Sequence, residues 1–283
     1  MPTFTTPQPL SATVDVSGFE LRLTAGEVDE TTVEIRPHNP ARSGDAELAT
    51  RVSVDCSGDR LVVRSPRTAR ARLRSLFTSG DRVDLDITVP SGSTLEVRGW
   101  GDVTTQGDLG PVDVDIAMGD LDLDGVERLR AKTSMGDVRV RSAAGPVELR
   151  TSSGSLHVAR AGADVTAKSS SGDVSVGDGA GELRLTTSSG DVRVERAGGS
   201  VRAKASSGDI RLHSVRRGTV AAESTYGRID IGVAHGTAAW LDVEARHGVV
   251  RSELEQSGPP ADTETTVEIR ANAGYGDIVL RRV

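Results

Sequence analysis

TTSSGDVRV, residues 186–194, decides the reading of this chain because its pattern returns again and again. SSGD also occupies Ser170–Asp173 and Ser206–Asp209, SSGS occupies Ser152–Ser155, and TSMGD occupies Thr133–Asp137. A serine, a glycine and an aspartate together suit a loop that binds phosphate or metal. They equally suit the corner of a coil that the chain turns many times. Spacing separates the two. The glycines of the motif and its relatives are Gly101, Gly119, Gly136, Gly154, Gly172, Gly190 and Gly208, with gaps of 18, 17, 18, 18, 18 and 18 residues. Gly227, Gly248 and Gly276 extend the series with gaps of 19, 21 and 28, so the period loosens towards the C-terminus.

A finer step lies inside that period. Apolar or small pairs at i, i+2 occur at Val138/Val140, Val147/Leu149, Leu156/Val158, Val165/Ala167, Val174/Val176, Leu183/Leu185, Val192/Val194, Val201/Ala203 and Ile210/Leu212, each nine residues after the last. Such a pair is one buried face of a short strand. The turns alternate between Ser-Ser-Gly-Asp and variable stretches such as Glu195–Gly199. Two strand classes follow, A (from Val147, Val165, Leu183 and Val201) and B (from Val138, Leu156, Val174, Val192 and Ile210). We therefore expect an all-β chain: a β-solenoid with two short strands per coil of about 18 residues. Right-handed winding is the expectation, although the period does not fix it. The rival is an antiparallel meander, whose alternating hairpins would show the same period. The hexapeptide period of left-handed β-helices is absent.

Composition agrees with thin, repeated aliphatic layers. Aromatic residues make up 2% of the chain and apolar residues 36%, while the 32 glycines follow no collagen triplet. Each coil buries about four aliphatic side chains at roughly 1.5–3 kcal/mol for each larger one, too little for a lone coil but sufficient when coils stack. The one cysteine, Cys56, can form no internal disulfide. The start, MPTFTTPQPLSATVDVSG, has neither a basic nor an apolar leader region, and no stretch has the length of a membrane span. These features predict a cytoplasmic protein, with the cell surface reached by an unrecognised route as the alternative. The net charge of −7 argues against a general nucleic-acid binder.

Residues 1–98 do not follow the nine-residue step, yet they read as strands at Thr13–Ser17, Glu20–Thr24, Thr31–Arg36, Leu48–Asp55, Leu61–Arg64 and Arg82–Val89. We read them as an irregular N-terminal β cap continuous with solenoid repeats over 99–283, in a single structural domain. No Gly/Ser/Pro linker precedes Gly101. Near the C-terminus, Gly258-Pro259-Pro260 marks a loop within Glu255–Asp262, and ETTVEIR at 264–270 repeats residues 30–36. That match reads as two strands with one alternation.

The N-terminal β region, the phrase DITVPSGSTLEV (86–97), the SSGDV corners and the closing GYGDIVLRR (274–282) carry a resemblance. The chain resembles a bacterial β-strand-repeat family of unknown function, often labelled putative adhesin, over nearly its whole length. The resemblance implies a β-solenoid-like fold without known enzymatic activity, and it supplies no catalytic residues.

No serine has glycine at both −2 and +2, as a hydrolase elbow requires. His38, His157, His213, His235 and His247 form no HExxH motif and no Cys/His pairing. Gly177–Gly181 is glycine-rich, but a strand follows it rather than the helix that a phosphate loop needs. We assign no catalytic residue, no metal ligand and no cofactor. Calcium is the serious rival for the aspartate column Asp102, Asp120, Asp137, Asp173, Asp191, Asp209 and Asp277, which Ser155, Arg228 and Val249 interrupt. Calcium-binding rolls place Gly-Asp every nine residues, and a hard cation wants six to eight oxygens. One Asp and one Ser per coil supply few. Arg139, Arg193 and Arg211, two residues beyond their aspartates, share the outward face and offset the repulsion.

One asymmetry invites a partner. Outward positions of the A strands include Arg130, Lys132, Arg150, Lys168, Arg184, Arg202 and Lys204, with Glu148 the main acidic exception. A solvated face rich in Lys and Arg is ordinary; the functional reading is a binding surface for a polyanion or an acidic partner. No aromatic residue interleaves it, which argues against base stacking on single strands. A second basic cluster, Arg60, Arg64, Arg67, Arg70, Arg72 and Arg74, surrounds SPRTARARLRSLF, the one short segment with helical character. The sequence thus predicts a non-enzymatic, adhesin-like scaffold for interaction or assembly. Its partner is an unknown protein, an anionic polymer or another copy of itself, without sequence-specific nucleic-acid binding. The alternative is a module that binds a polyanion or anionic surface through the basic face. A calcium roll and a carbohydrate-cleaving β-helix enzyme rank below these.

Overall fold

The computed structural model describes residues 2–66, 80–254 and 265–283. The chain forms two compact units, Met1–Gly136 and Asp137–Val283.

The first unit is built around one long strand. Its elements are β1 (Thr3–Thr5), β2 (Ser11–Gly26), β3 (Glu30–Pro37), α1 (Ser43–Arg51), β4 (Ser53–Ser57), β5 (Arg60–Arg64), β6 (Val83–Pro90), β7 (Thr94–Gln106), β8 (Asp108–Ile116) and β9 (Leu121–Lys132). The two strands expected at Thr13–Ser17 and Glu20–Thr24 are one strand, β2, with a register shift between Val16 and Phe19. Gly18 lies at the shift because a side chain there would collide with the Trp100 ring and the Asp81 carbonyl. β2 runs parallel to β5 and then β6 on one side, and to β7 on the other: Val14 faces Val63 and Val97, and Leu21 faces Leu85 and Val103. The outermost parallel strands are covered antiparallel, β5 by β4 and β6 by β3, and β1 adds to β3. On the far side of β7, β8 and β9 continue in parallel.

One expectation fails here. Leu48 does not begin a strand running to Asp55; residues Ser43–Arg51 form helix α1, and strand β4 covers only Ser53–Ser57. Ala46, Leu48 and Ala49 favour helix, and an i, i+4 ion pair joins Glu47 to Arg51. Asp45 anchors the helix. It is fully buried, and its carboxylate accepts the backbone N–H groups of Asn39 and Arg82, each at 3.0 Å.

The second unit realises the nine-residue step. Strands β10 (Val138–Ala143), β12 (Leu156–Ala161), β14 (Val174–Gly179), β16 (Val192–Ala197), β18 (Ile210–Val215) and β20 (Ile229–Val233) form one parallel sheet. Strands β11 (Val147–Ser153), β13 (Val165–Ser171), β15 (Leu183–Ser189), β17 (Val201–Ser207) and β19 (Gly218–Tyr226) form the other. Val138, Leu156, Val174, Val192 and Ile210 are direct neighbours, as are Val147, Val165, Leu183 and Val201. Parallel pairing removes the meander: the fold is an all-β solenoid. Both inward residues of each strand are buried, and these aliphatic rows are the core.

The last coils are stacked out of sequence order. β21 (Thr237–His247) and β22 (Val250–Ser252) precede β23 (Thr265–Tyr275) and β24 (Ile278–Arg282) in the chain. In space β23 lies between β19 and β21, and β24 lies between β20 and β22. The C-terminal coil is therefore inserted one layer in from the end. This arrangement accounts for the gaps of 21 and 28 residues: the corner glycines stack as Gly227, Gly276, Gly248. The ETTVEIR copies keep one alternation, with Val33 and Val267 both buried, but β3 pairs antiparallel and β23 parallel.

Candidate functional site

The corner that opened the sequence is built as a connector between coils. Gly190 has φ +146, and a Cβ there would collide with the Gly172 carbonyl oxygen one coil earlier. The adjacent aspartate then reaches along the stack. Oδ1 of Asp137, Asp173, Asp191 and Asp209 accepts the backbone N–H of Ser155, Asp191, Asp209 and Arg228, respectively, at 2.8–2.9 Å. Asp277 accepts the N–H of Val249 at 2.9 Å in the reordered coils, and Asp102 that of Asp120 at 3.0 Å in the first unit. The second oxygen takes arginine. Arg193 bridges Asp173 and Asp191 at 3.0 and 2.5 Å, and Arg211 bridges Asp191 and Asp209 at 3.1 and 2.5 Å. From inside, the hydroxyls of Ser169, Thr187 and Ser224 donate to the carbonyls of Gly154, Gly172 and Gly208 at 2.9–3.0 Å.

Electrostatics follow this geometry. The Asp191 N–H, and then Arg193, hold the Asp173 carboxyl below the ordinary carboxylate range. These aspartates act as hydrogen-bond acceptors and arginine partners, so a cation entering the column would have to displace both. Cys56 is no activated nucleophile, because burial and then the neighbouring Asp55 push its thiol up.

The basic residues occupy the outward positions expected of them. Arg130 and Lys132 are exposed on β9 in the first unit. In the second unit Arg150 lies beside Lys168, Arg184 beside Arg202, and Thr186 separates Lys168 from Lys204. The ribbon is laced with carboxylates that the strand pattern alone understated. Arg150 pairs with Glu148 at 2.6 Å, Arg184 with Glu182 at 2.5 Å, Arg202 with Glu182 at 3.7 Å, and Lys204 with Glu223 at 2.9 Å. Of the second cluster, Arg60 and Arg64 are exposed ends of β5, while Arg67, Arg70, Arg72 and Arg74 lie outside the described residues.

Two groupings escaped the sequence reading. In the first unit Glu20 and Asp84 are direct neighbours across β2 and β6, and His38 Nδ1 lies 3.6 Å from Glu20 and 2.8 Å from Asp84. Their ligand atoms lie within 4.8 Å of one another, a set that could hold a divalent cation, although Arg22 already pairs with Glu20. Only the antiparallel return of β3 brings His38 there. In the second unit the chain's two tyrosines, Tyr226 and Tyr275, stack at 5.2 Å, and His247 stacks on Tyr275 at 4.5 Å. All three directly precede corner glycines. Aligning the corners would have shown serine at that position in the middle coils and rings in the last ones.

The model of a family described as Toastrack DUF4097 matches residues 12–281. No curated protein matches. Among solved structures, a putative lipid binding protein from Parabacteroides distasonis is 12% identical with a TM-score of 0.44, over 100% of this chain and 95% of that one. A putative adhesin from Bacteroides fragilis is 10% identical with a TM-score of 0.31, again over 100% and 95%.

Proposed function

The chain belongs to the Toastrack DUF4097 family, and from that premise we propose that it is a non-enzymatic scaffold, a stiff solenoid whose faces and ends engage other proteins. The family is one of unknown function without known catalytic activity. The observation that carries the reading is the continuous parallel register of β11 to β17 in one sheet and of β10 to β18 in the other. Each middle strand of these runs is hydrogen-bonded on both edges, and outward side chains stand in columns at the strand spacing of about 4.8 Å. Charged groups are thereby held at fixed intervals on a backbone that has little freedom to rearrange.

The charge pattern favours a protein partner of mixed charge over a polyanion. Arg150, Arg184, Arg202 and Lys204 already face carboxylates of their own sheet. Each such exposed pair is worth only about 0–1 kcal/mol, so displacing one is easy. A polyanion would nevertheless meet alternating signs on a protein of net charge −7. Binding of the full chain to immobilised polyphosphate or heparin tests this. Weak retention that vanishes at moderate salt supports the scaffold reading. Tight retention, abolished by Arg184→Glu with Arg202→Glu at unchanged Tm, replaces it with polyanion binding.

A further inference from the structure

The second unit ends on an unfinished layer. β21 pairs only with β23, and β22 only with β24, so among the described residues their outer edges have no strand partner. The strand is long, Thr237–His247, and contains no proline. Beneath it the core is incomplete. Leu241, Val243 and Ala245 are half-buried, whereas Val201 and Ala203, at equivalent inward positions of a middle coil, are each 1% exposed. Val249 is 52% exposed, Val250 40% and Trp240 58%. An open edge of this length over apolar side chains is a template for another strand.

We propose that this edge is a self-recognition surface, on which a second copy of the chain adds its own β21 antiparallel across a two-fold axis. Three observations select this occupant. First, the sequence 255–264 contains Pro259 and Pro260, two residues without an N–H to donate. Second, two exposed outward residues of β21 are self-complementary: pairing centred on Ala245 overlaps residues 243–247 of the two copies and sets Glu244 of each opposite Arg246 of the other. Third, β21 and β22 are the only uncovered parallel edge strands among the described residues. The outermost parallel strands of the first unit, β5 and β6, are already covered antiparallel by β4 and β3. An isologous contact therefore closes at two copies.

The inference rests on the scaffold reading and names one partner for it. The two tests separate, because polyanion retention reads the sheet face and association reads the β21 edge. The experiment is sedimentation velocity of the full chain from micromolar to submillimolar concentration, with hydrogen exchange of the β21 amides at both extremes. A monomer–dimer equilibrium is expected, with β21 amides protected only at high concentration. Arg246→Glu should weaken the dimer about tenfold, and adding Glu244→Arg should restore it, as a swapped ion pair does. Both side chains are exposed, so Tm should hold for each variant. A strict monomer overturns the proposal: with slowly exchanging β21 amides the chain covers its own edge, and with fast ones the edge is merely solvated. A dimer indifferent to both variants places the contact elsewhere, and growth beyond two copies rejects the two-fold geometry.

Discussion

Asp173 accepts the backbone N–H of Asp191 at 2.8 Å, one coil further along the stack, and Asp191 does the same for Asp209. The side chain that looked like a ligand column is thus a set of rungs. Each carboxylate satisfies a donor at the sharpest bend of the next coil, and arginines two residues beyond the corners neutralise it. The same rung recurs wherever the corner carries one of these aspartates, and Ser155, Arg228 and Val249 interrupt the series.

Removing one rung should be measurable. Asp173→Ala leaves the Asp191 N–H and the Arg193 guanidinium without this acceptor, and should cost about 1–3 kcal/mol in urea unfolding. Asp173→Asn keeps an oxygen for the N–H and loses only the charge, so it should cost clearly less. Equal costs would mean that the ion pair, not the backbone bond, carries the rung.

The corner glycine should be intolerant of any side chain. Gly190→Ala meets both the left-handed φ of +146 and the Gly172 carbonyl, so a loss of roughly 1–3 kcal/mol or more is expected. Gly26→Ala is the control, since nothing lies within 4 Å of a Cβ there. Its effect should stay within about 0.5 kcal/mol.

Acid should loosen the stack through Asp173. The folded-state pKa of Asp173 lies below its unfolded value of about 3.9. Its contribution is therefore present above the unfolded pKa and is lost as pH falls through the folded one. Urea midpoints should hold from neutral pH to about 5 and fall below about 4. Asp173→Asn should flatten that decline; an unchanged slope would locate the acid sensitivity elsewhere.

Calcium should not stabilise the protein. The column oxygens already accept N–H groups and arginines. Millimolar calcium is expected to leave Tm unchanged, and a rise of several degrees would restore the calcium-roll reading.

The inserted C-terminal coil should reverse the usual fraying of a chain end. β23 has hydrogen-bonded strands on both sides, while β21, earlier in the sequence, has one. In dilute solution the amides of residues 267–273 should exchange more slowly than those of 239–245. Deleting 265–283 should unseat β21 and β22 as well, with the loss of two coils seen in the unfolding amplitude.

Much of this protein was legible in one dimension because its interactions repeat at a fixed chain distance. The nine-residue step located Val192 and Val194 in the core, Gly190 at the bend and Arg184 and Arg202 on the surface, since strand alternation is local. Where periodicity failed, reading failed with it. The alternation around Leu48 suggested a strand, but α1 forms there, anchored by the buried Asp45 to Asn39 and Arg82. The carboxylates that lace the basic ribbon were visible as residues but not as partners, because Lys204 meets Glu223 only across neighbouring strands.

By itself the sequence determined a coil with two strands and a glycine-aspartate corner, because backbone conformation and side-chain alternation are properties of a few consecutive residues. Tertiary structure alone decided which coil lies next to which. The insertion of β23 between β19 and β21, the threading of β2 between β5, β6 and β7, and the meeting of His38 with Glu20 and Asp84 all depend on layer order. Nearly identical coils present nearly identical edges. Their order is therefore a property of whole layers that no single repeat encodes.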